Sequence, residues 1–457
     1  MDSIQAISVF DGRYSRYTVE LKELFSEYGL IKHRVFVEIQ WLKFLLSELG
    51  LESVSTEEME RIDAIYDAFD AVSAVSVKAI EKETNHDVKA VEYFIKQKLS
   101  EAGLEHLKEW VHFGCTSDDI NNTAYALMIK SGRTLLAEDI AVLIAKIEDL
   151  AKQYKGIPMM SRTHGQPATP TTVGKEMVNF AWRLRVELMN FQSLYVQAKM
   201  NGASGNFNAH QFVFPEINWI DASEKFISGY LGLVPILYTT QINPNNYLSE
   251  MLHNMVRIAS TVIDLDRDMW GYISLGYFKQ KPIPGEVGSS TMPHKVNPID
   301  FENSEGNMGM AIALMEHMAV KLLNSRFQRD LTDSTVLRNL GAVWGYLVIG
   351  LKSILKGLGK VSINQAEIET DLEANPELLA EAIQTAMRVY KEDNPYEKLK
   401  NLTRGRRISM NDISEFVDRL EKVPEAVKSR MKDLTVSRYT GVAEKLVEHY
   451  LCNIQKP

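Results

Sequence analysis

The stretch Gly285 to Pro298 reads Gly-Glu-Val-Gly-Ser-Ser-Thr-Met-Pro-His-Lys-Val-Asn-Pro. Its glycines and prolines oppose a regular helix, while hydroxyl, imidazole, ammonium and amide groups crowd into a few residues. Loops between long helices are normally short and bland. This one is long, polar and rich in donors, and Lys295, Asn297 and the backbone N–H groups of a Gly-rich loop suit stabilisation of negative charge developing on a substrate.

Five other segments carry comparable groups. Ser161 to Pro170 places His164 beside Gly165 in a segment whose two prolines forbid helix, a stiff polar turn suited to proton transfer near neutral pH. Asn85, His86 and Asp87 open a helix, where backbone N–H groups point outward and attract anions; His86 there is a ligand contact, a catalytic group or a capping-region histidine satisfied by the backbone. Thr116 and Ser117, followed by Asp118 and Asp119, repeat the device as a capping box. In Ser325 to Arg338, the residues Arg329, Ser334 and Arg338 at a helix start would make a phosphate site; capping by Asp333 or Ser334 would leave the two bracketing arginines unexplained. Asp11-Gly12-Arg13-Tyr14 reads as a turn near the start of the chain.

Long helices must hold these segments apart and in place. Val35, Ile39, Leu42, Leu45, Leu46 and Leu49 fall on one helical stripe, Ser55 with Glu58 makes a capping box, and Val88, Val91, Phe94 and Ile95 form the buried side of another helix. Long periodic segments are expected from Thr116 to about Tyr154, Thr172 to Met200, Asn246 to Tyr277, Pro298 to about Leu323, and Ser334 to about Leu358. Several are apolar on more than one side, as in Met251, Met255, Ile258 and Val262, so subunits that pool their helices are expected. After Gly359 shorter, more charged helices suggest a small C-terminal domain. Strand patterns are scarce, with Tyr238 to Ile242 the best candidate.

Composition narrows the function classes. At 457 residues the chain exceeds one ordinary core, and 45% hydrophobic content is that of a globular protein. The net charge of -9 and the lack of a basic block argue against nucleic acid as partner, so an anionic ligand needs a local cationic pocket. Cys115 and Cys452 make no disulfide framework or thiolate metal site, and the histidines show no metal spacing. The apolar run Leu340 to Leu351 is too short for a bilayer, the N-terminus lacks a secretory pattern, and a cytoplasmic location without membrane partners is expected.

Gly288 to Pro298 matches the signature of the fumarase/aspartase superfamily, and Asn85 to Glu92, Thr163 to Pro170 and Gln328 to Arg338 extend the likeness over essentially the whole chain. Within the superfamily the chain resembles the adenylosuccinate lyase family. The resemblance implies an all-α fold of three helical domains, 1–115, 116–362 and 363–457, and a homotetramer sharing a central long-helix bundle, with active sites built from three subunits. It implies elimination of fumarate from adenylosuccinate to give AMP and from the succinylated aminoimidazole carboxamide ribotide (SAICAR) to give AICAR, in purine biosynthesis. No metal or organic cofactor is implied. Ser289 becomes the general base and His164 the general acid, with His86 contacting substrate. Arg13, Tyr14, Arg329, Ser334 and Arg338 fall on the phosphate and ribose side; Thr116, Ser117, Lys295 and Asn297 on the succinyl carboxylates; Asn85, Asp87, Gln241, Asn303, Thr335, Val336 and Leu337 are further substrate contacts. The alternatives are another fumarate-releasing lyase, such as one acting on argininosuccinate, which lacks the phosphate that the Arg329 to Arg338 cluster would bind, and a non-catalytic structural homologue.

Overall fold

Residues 3–281, 292, 295–403 and 408–454 are described by a computed structural model. The fold is all-α. Glu27–Lys43, Thr56–Asp67, Ala71–Thr84 and Asp87–Glu101 come first, followed by the long helices Ser117–Gln153, Val173–Ser193, Asn246–Ser274, Ile299–Lys321 and Leu340–Lys360. Shorter helices from Gln365–Glu373 to Ala443–Cys452 complete the chain. Two compact units divide it: Met1–Ile140 with Glu187–Ser260 and Gly306–Lys352, and Ala141–Val186 with Thr261–Glu305 and Ser353–Pro457.

In the first unit the expected stripe is the core. Val35, Ile39, Leu42 and Leu46 are buried against Val91, Phe94 and Ile95, and each such side chain contributes roughly 1.5–3 kcal/mol by leaving water. Leu49 ends only half-buried, because the helix widens to a π turn over Phe44–Glu48 and rotates the stripe. The Ser55 and Glu58 capping box forms in both directions, satisfying two orphan N–H groups at once.

In the second unit the segment around His164 is a β-hairpin, Pro158–Thr163 against Gln166–Thr172. His164 (φ 54°) and Gly165 (φ 74°) both take the left-handed conformation, which gives a two-residue turn whose twist matches the strands. The register shifts between the Met159 and Ser161 pairs; the additional residue lies on the second strand beside Pro170, which has no N–H to donate. Arg162 donates to Asp371 at 2.5 Å, and the Tyr277 hydroxyl donates to the same carboxylate oxygen, so the hairpin is tied near its turn to the helix Gln365–Glu373.

Several expectations need correction. The helix expected over Thr172 to Met200 stops at Ser193, where the chain turns into the short strand Gln197–Ala198. Tyr238 to Ile242 is not a strand; the strand lies earlier, at Val234–Pro235, and Asn201 Nδ2 donates to Leu237 O and to the Thr239 side chain just beyond it. The helix expected from Ser334 opens at Thr332 and breaks at Arg338 and Asn339, where the Asn339 side chain takes the Thr335 carbonyl. Thr332–Lys360 is long and apolar enough to cross a membrane by length and composition, further than the Leu340 to Leu351 run implied, but 67% of its apolar window is buried inside the protein.

The second unit depends on one close crossing. Gly174, at the start of its helix, donates its N–H to Tyr154 O, and a Cβ there would lie 2.5 Å from Ala151 O and 2.5 Å from Lys155 Cα. Backbone atoms cannot give way as a flexible side chain would. Gly174→Ala is therefore expected to destabilise the protein by roughly 1–3 kcal/mol, read as a lower midpoint in thermal unfolding followed by circular dichroism.

Candidate active site

The helix Ser117–Gln153 begins on a buried carboxylate. Asp119 Oδ1 accepts from Lys199 Nζ at 2.7 Å and from Asn201 N at 3.0 Å; Oδ2 accepts from Thr116 N at 2.8 Å and from Gly202 N at 3.1 Å. The Thr116 bond is the return half of the expected capping box. Neither side chain of the Asp119–Lys199 pair has solvent exposure. Desolvating two charges is costly, and the pair is stable because its remaining donors and acceptors are also used: Lys199 Nζ donates to Asn201 Oδ1 at 3.1 Å, and Asn122 holds the Lys199 backbone on both sides. One carboxylate thereby locks Thr116 and Ser117 to the loop Lys199 to Gly202. Sequence reasoning missed Lys199; its signal was a lysine inside the apolar run Val196 to Met200, just before Asn-Gly.

Asp118, next along, is also buried, and its Oδ2 has no hydrogen bond. Burial pushes its carboxyl up to about 7 against the pull of Lys199 and Arg329, with Asp333 and Asp119 pushing the same way. Arg329 reaches the same neighbourhood and donates to Gln241 Oε1 at 3.1 Å, joining two of the expected substrate contacts. The short helix Thr332–Leu337, which holds Ser334, Thr335, Val336 and Leu337, is opened by Asp330, whose Oδ1 accepts from Thr332 N at 2.8 Å, while Asp333 Oδ1 accepts from Ser334 N at 2.7 Å.

His86 is the N-cap of Asp87–Glu101: its Nδ1 accepts from Lys89 N at 3.1 Å, which leaves Nε2 as the donor on an exposed ring. Asn85 ends the preceding helix in the left-handed conformation, turning the chain so that His86 projects. Asp87 Oδ2 accepts from Arg34 Nη2 at 2.7 Å and from Arg338 Nη2 at 3.1 Å. Burial pushes the Asp87 carboxyl up, but the two guanidinium groups and the Val88 N–H outweigh it and hold it below the usual range. Arg34, absent from the sequence expectations, is itself buried and reaches Asn121 Oδ1 at 2.8 Å.

Arg13 and Tyr14 lie in the turn expected of them, the guanidinium 5.8 Å from the Tyr14 ring centre. Two residues earlier Asp11 lines a cleft of about 510 Å³ together with Ser8, Thr18, Lys22, Glu27 and Arg338. That volume suits a nucleotide-sized ligand.

The second unit holds His164, exposed at the hairpin tip, with Lys295, Asn297 and Asn303. Gln280 Nε2 donates to Val296 O at 2.7 Å, near the end of the signature stretch, and Asn303 Nδ2 donates to Ser353 Oγ at 2.7 Å just beyond it. Ser289 lies outside the described residues. Among the described residues no group of three or more His, Cys, Asp or Glu side chains could hold a metal ion.

The raised Asp118 carboxyl has a pH consequence. Its stabilising contribution is complete below the unfolded value near 3.8 and is lost as pH rises through about 7. Asp118→Asn, neutral throughout, should gain on the wild type between pH 5 and pH 8 by on the order of 1–3 kcal/mol in urea unfolding. An unchanged difference across that range would place the carboxyl near its ordinary value.

Comparisons with known proteins give the family. A family model described as "Lyase" matches residues 12–313, and one described as "Adenylosuccinate lyase C-terminal" matches residues 325–440. The chain is 48% identical over 453 residues to the adenylosuccinate lyase of Vibrio cholerae, covering 98% of this chain and 99% of that one. It is 49% identical over 453 residues to that of Haemophilus influenzae and 48% identical over 453 residues to that of Escherichia coli K12, with the same coverage. Among solved structures, the 3-carboxy-cis,cis-muconate lactonizing enzyme of Pseudomonas putida superposes with a TM-score of 0.79 at 17% identity, covering 97% of this chain and 99% of that one. A fumarate lyase of Mesorhizobium sp. BNC1 does so at 0.78 and 18%, covering 95% and 97%. The structures at this low identity speak to the fold; the sequences, alike along almost their whole length, show that the chain belongs to the adenylosuccinate lyase family.

Proposed function

We propose that this enzyme eliminates fumarate from adenylosuccinate to give AMP, and from SAICAR to give AICAR, in purine nucleotide biosynthesis. The observation that carries the proposal is the near-half identity along 98% of the chain to adenylosuccinate lyases. The reaction removes a weakly acidic proton beside a carboxylate and then breaks the C–N bond, so the doubly negative carboxylate formed on the way needs preorganised donors and cations.

Ser289 is the base in this proposal, made basic by closure of the signature loop around it with Lys295 and backbone N–H groups. His164 is the acid that protonates the leaving nitrogen. Its place at the tip of an anchored hairpin supports that role, because the ring is exposed and its backbone is tied down through Arg162 and Asp371. His86, with Nδ1 committed to Lys89 N–H, is suited to donate a hydrogen bond from Nε2 to the substrate. Arg13, Tyr14, Arg329, Ser334 and Arg338 take the phosphate and ribose; Thr116, Ser117, Lys295 and Asn297 take the succinyl carboxylates; Asn85, Asp87, Gln241, Asn303 and residues 335–337 add contacts.

We further infer a cytoplasmic homotetramer of three-domain subunits, divided near residues 115 and 362, with each active site drawing loops from three subunits. Support comes from apolar side chains left exposed on three long helices of the single chain, Trp182, Met189, Trp270, Met310 and Val320, and from two free cysteines.

The absorbance change on mixing with adenylosuccinate tests the activity, and no turnover would overturn it. Ser289→Ala with intact tetramers is expected to lose at least ~10²-fold in kcat. His164→Gln should lose the limb of the pH–rate profile that requires an acid, and His86→Gln should keep it; the reverse pattern would exchange the two roles.

A further inference from the structure

Neither Glu27 nor Arg34 takes part in the proposed chemistry, yet Glu27 pairs with Arg338 directly and Arg34 shares Asp87 with it. The Arg338 guanidinium, at the break between two helices, donates Nη1 to Glu27 Oε2 at 3.0 Å and Nη2 to Asp87 Oδ2 at 3.1 Å. Two anionic oxygens from separate helices thus meet two nitrogens of one guanidinium, the geometry by which a phosphate would take the same fork. Arg338 is 43% exposed and lines the 510 Å³ cleft together with Glu27.

The surroundings make Arg338 the removable member of the cluster. Glu27 Oε1 also takes Lys78 Nζ at 3.2 Å, a lysine shared with Glu81 at 2.6 Å. Asp87 also takes Arg34, whose side chain is 3% exposed and braced by Asn121. If Arg338 leaves, each carboxylate keeps a second cation. Half-exposed pairs like those of Arg338 hold weakly and exchange readily, whereas the buried Arg34 pair does not. Glu27 also sits in the first turn of its own helix, where the helix dipole favours an anion without any arginine.

We propose that Glu27 and Asp87 are an internal stand-in for the phosphate of the substrate, holding Arg338 until the ligand takes it over, and that Arg34 is the positioning residue that keeps Asp87 in place during the exchange. This rests on the assignment of Arg338 to the phosphate. Glu27 then competes with the ligand, and Arg34 helps it without touching it.

The test is calorimetric titration of the whole enzyme with AMP, with fumarate as a ligand that lacks phosphate. Glu27→Gln, an exposed and structurally mild change, should tighten AMP roughly two- to fivefold, leave fumarate unaffected, and lower KM for adenylosuccinate rather than raise kcat. Arg34→Met should weaken AMP roughly tenfold, because Asp87 then retains Arg338, and Arg34→Lys should recover part of the loss. If Arg34→Met does not fold, Glu27→Gln alone decides. AMP affinity unchanged or weakened in Glu27→Gln would overturn the proposal and make these pairs structural only. A wild type that turns over adenylosuccinate while AMP binding is indifferent to Arg338→Ala would instead overturn the assignment of Arg338.

Discussion

The buried pair of Asp119 with Lys199 is the constraint on which the first unit's site depends. In a low-dielectric interior such a pair persists only when its remaining hydrogen-bonding capacity is filled, and here the partners are the N–H groups of Thr116, Asn201 and Gly202. Satisfying one carboxylate therefore fixes the backbone of two segments far apart in sequence. Asn201 passes the constraint on through Leu237 and Thr239 towards Gln241, which in turn holds Arg329. Thr116 and Ser117, Gln241 and Arg329 are placed by a charge pair that itself never meets solvent.

Charge is handled by a second rule, that anionic and cationic groups are kept in excess of single pairs. The chain is acidic overall, at -9, yet Arg34, Lys78 and Arg338 gather around Glu27, Glu81 and Asp87. A ligand that carries phosphate and carboxylates would meet local cations already desolvated or half-held, not a field set by net charge. The same arrangement holds Asp87 in its charged form beside His86, whose ring is oriented by the cap it makes with Lys89.

Much of this was legible in residue order. The stripe from Val35 to Leu46, the Ser55 and Glu58 cap, the helix start at His86 and the non-helical turn at His164 all follow from local rules of period, capping and proline geometry. Errors fell where local propensity was overridden. Tyr238 to Ile242 has strand-like residues, but the pairing to Gln197–Ala198 is made earlier, by Val234–Pro235. The helix expected through Met200 ends early because the chain must bring Lys199 to Asp119. The hairpin around His164 was seen as a stiff turn but not as paired strands, since its pairing contains a bulge and three prolines.

By itself the sequence determined the helical class, the candidate segments for chemistry and the family to which the chain belongs, because periodicity, caps and a dense signature are properties of neighbouring residues. Only the tertiary structure decided which charges are buried, which carboxylate pairs with which cation, and that Lys199, Arg34 and Glu27 pair with residues of the candidate site. Those residues sit 80, 53 and 311 positions from the partners that define them, Asp119, Asp87 and Arg338. Burial and pairing over such separations come from packing of the whole chain, and no local pattern encodes them.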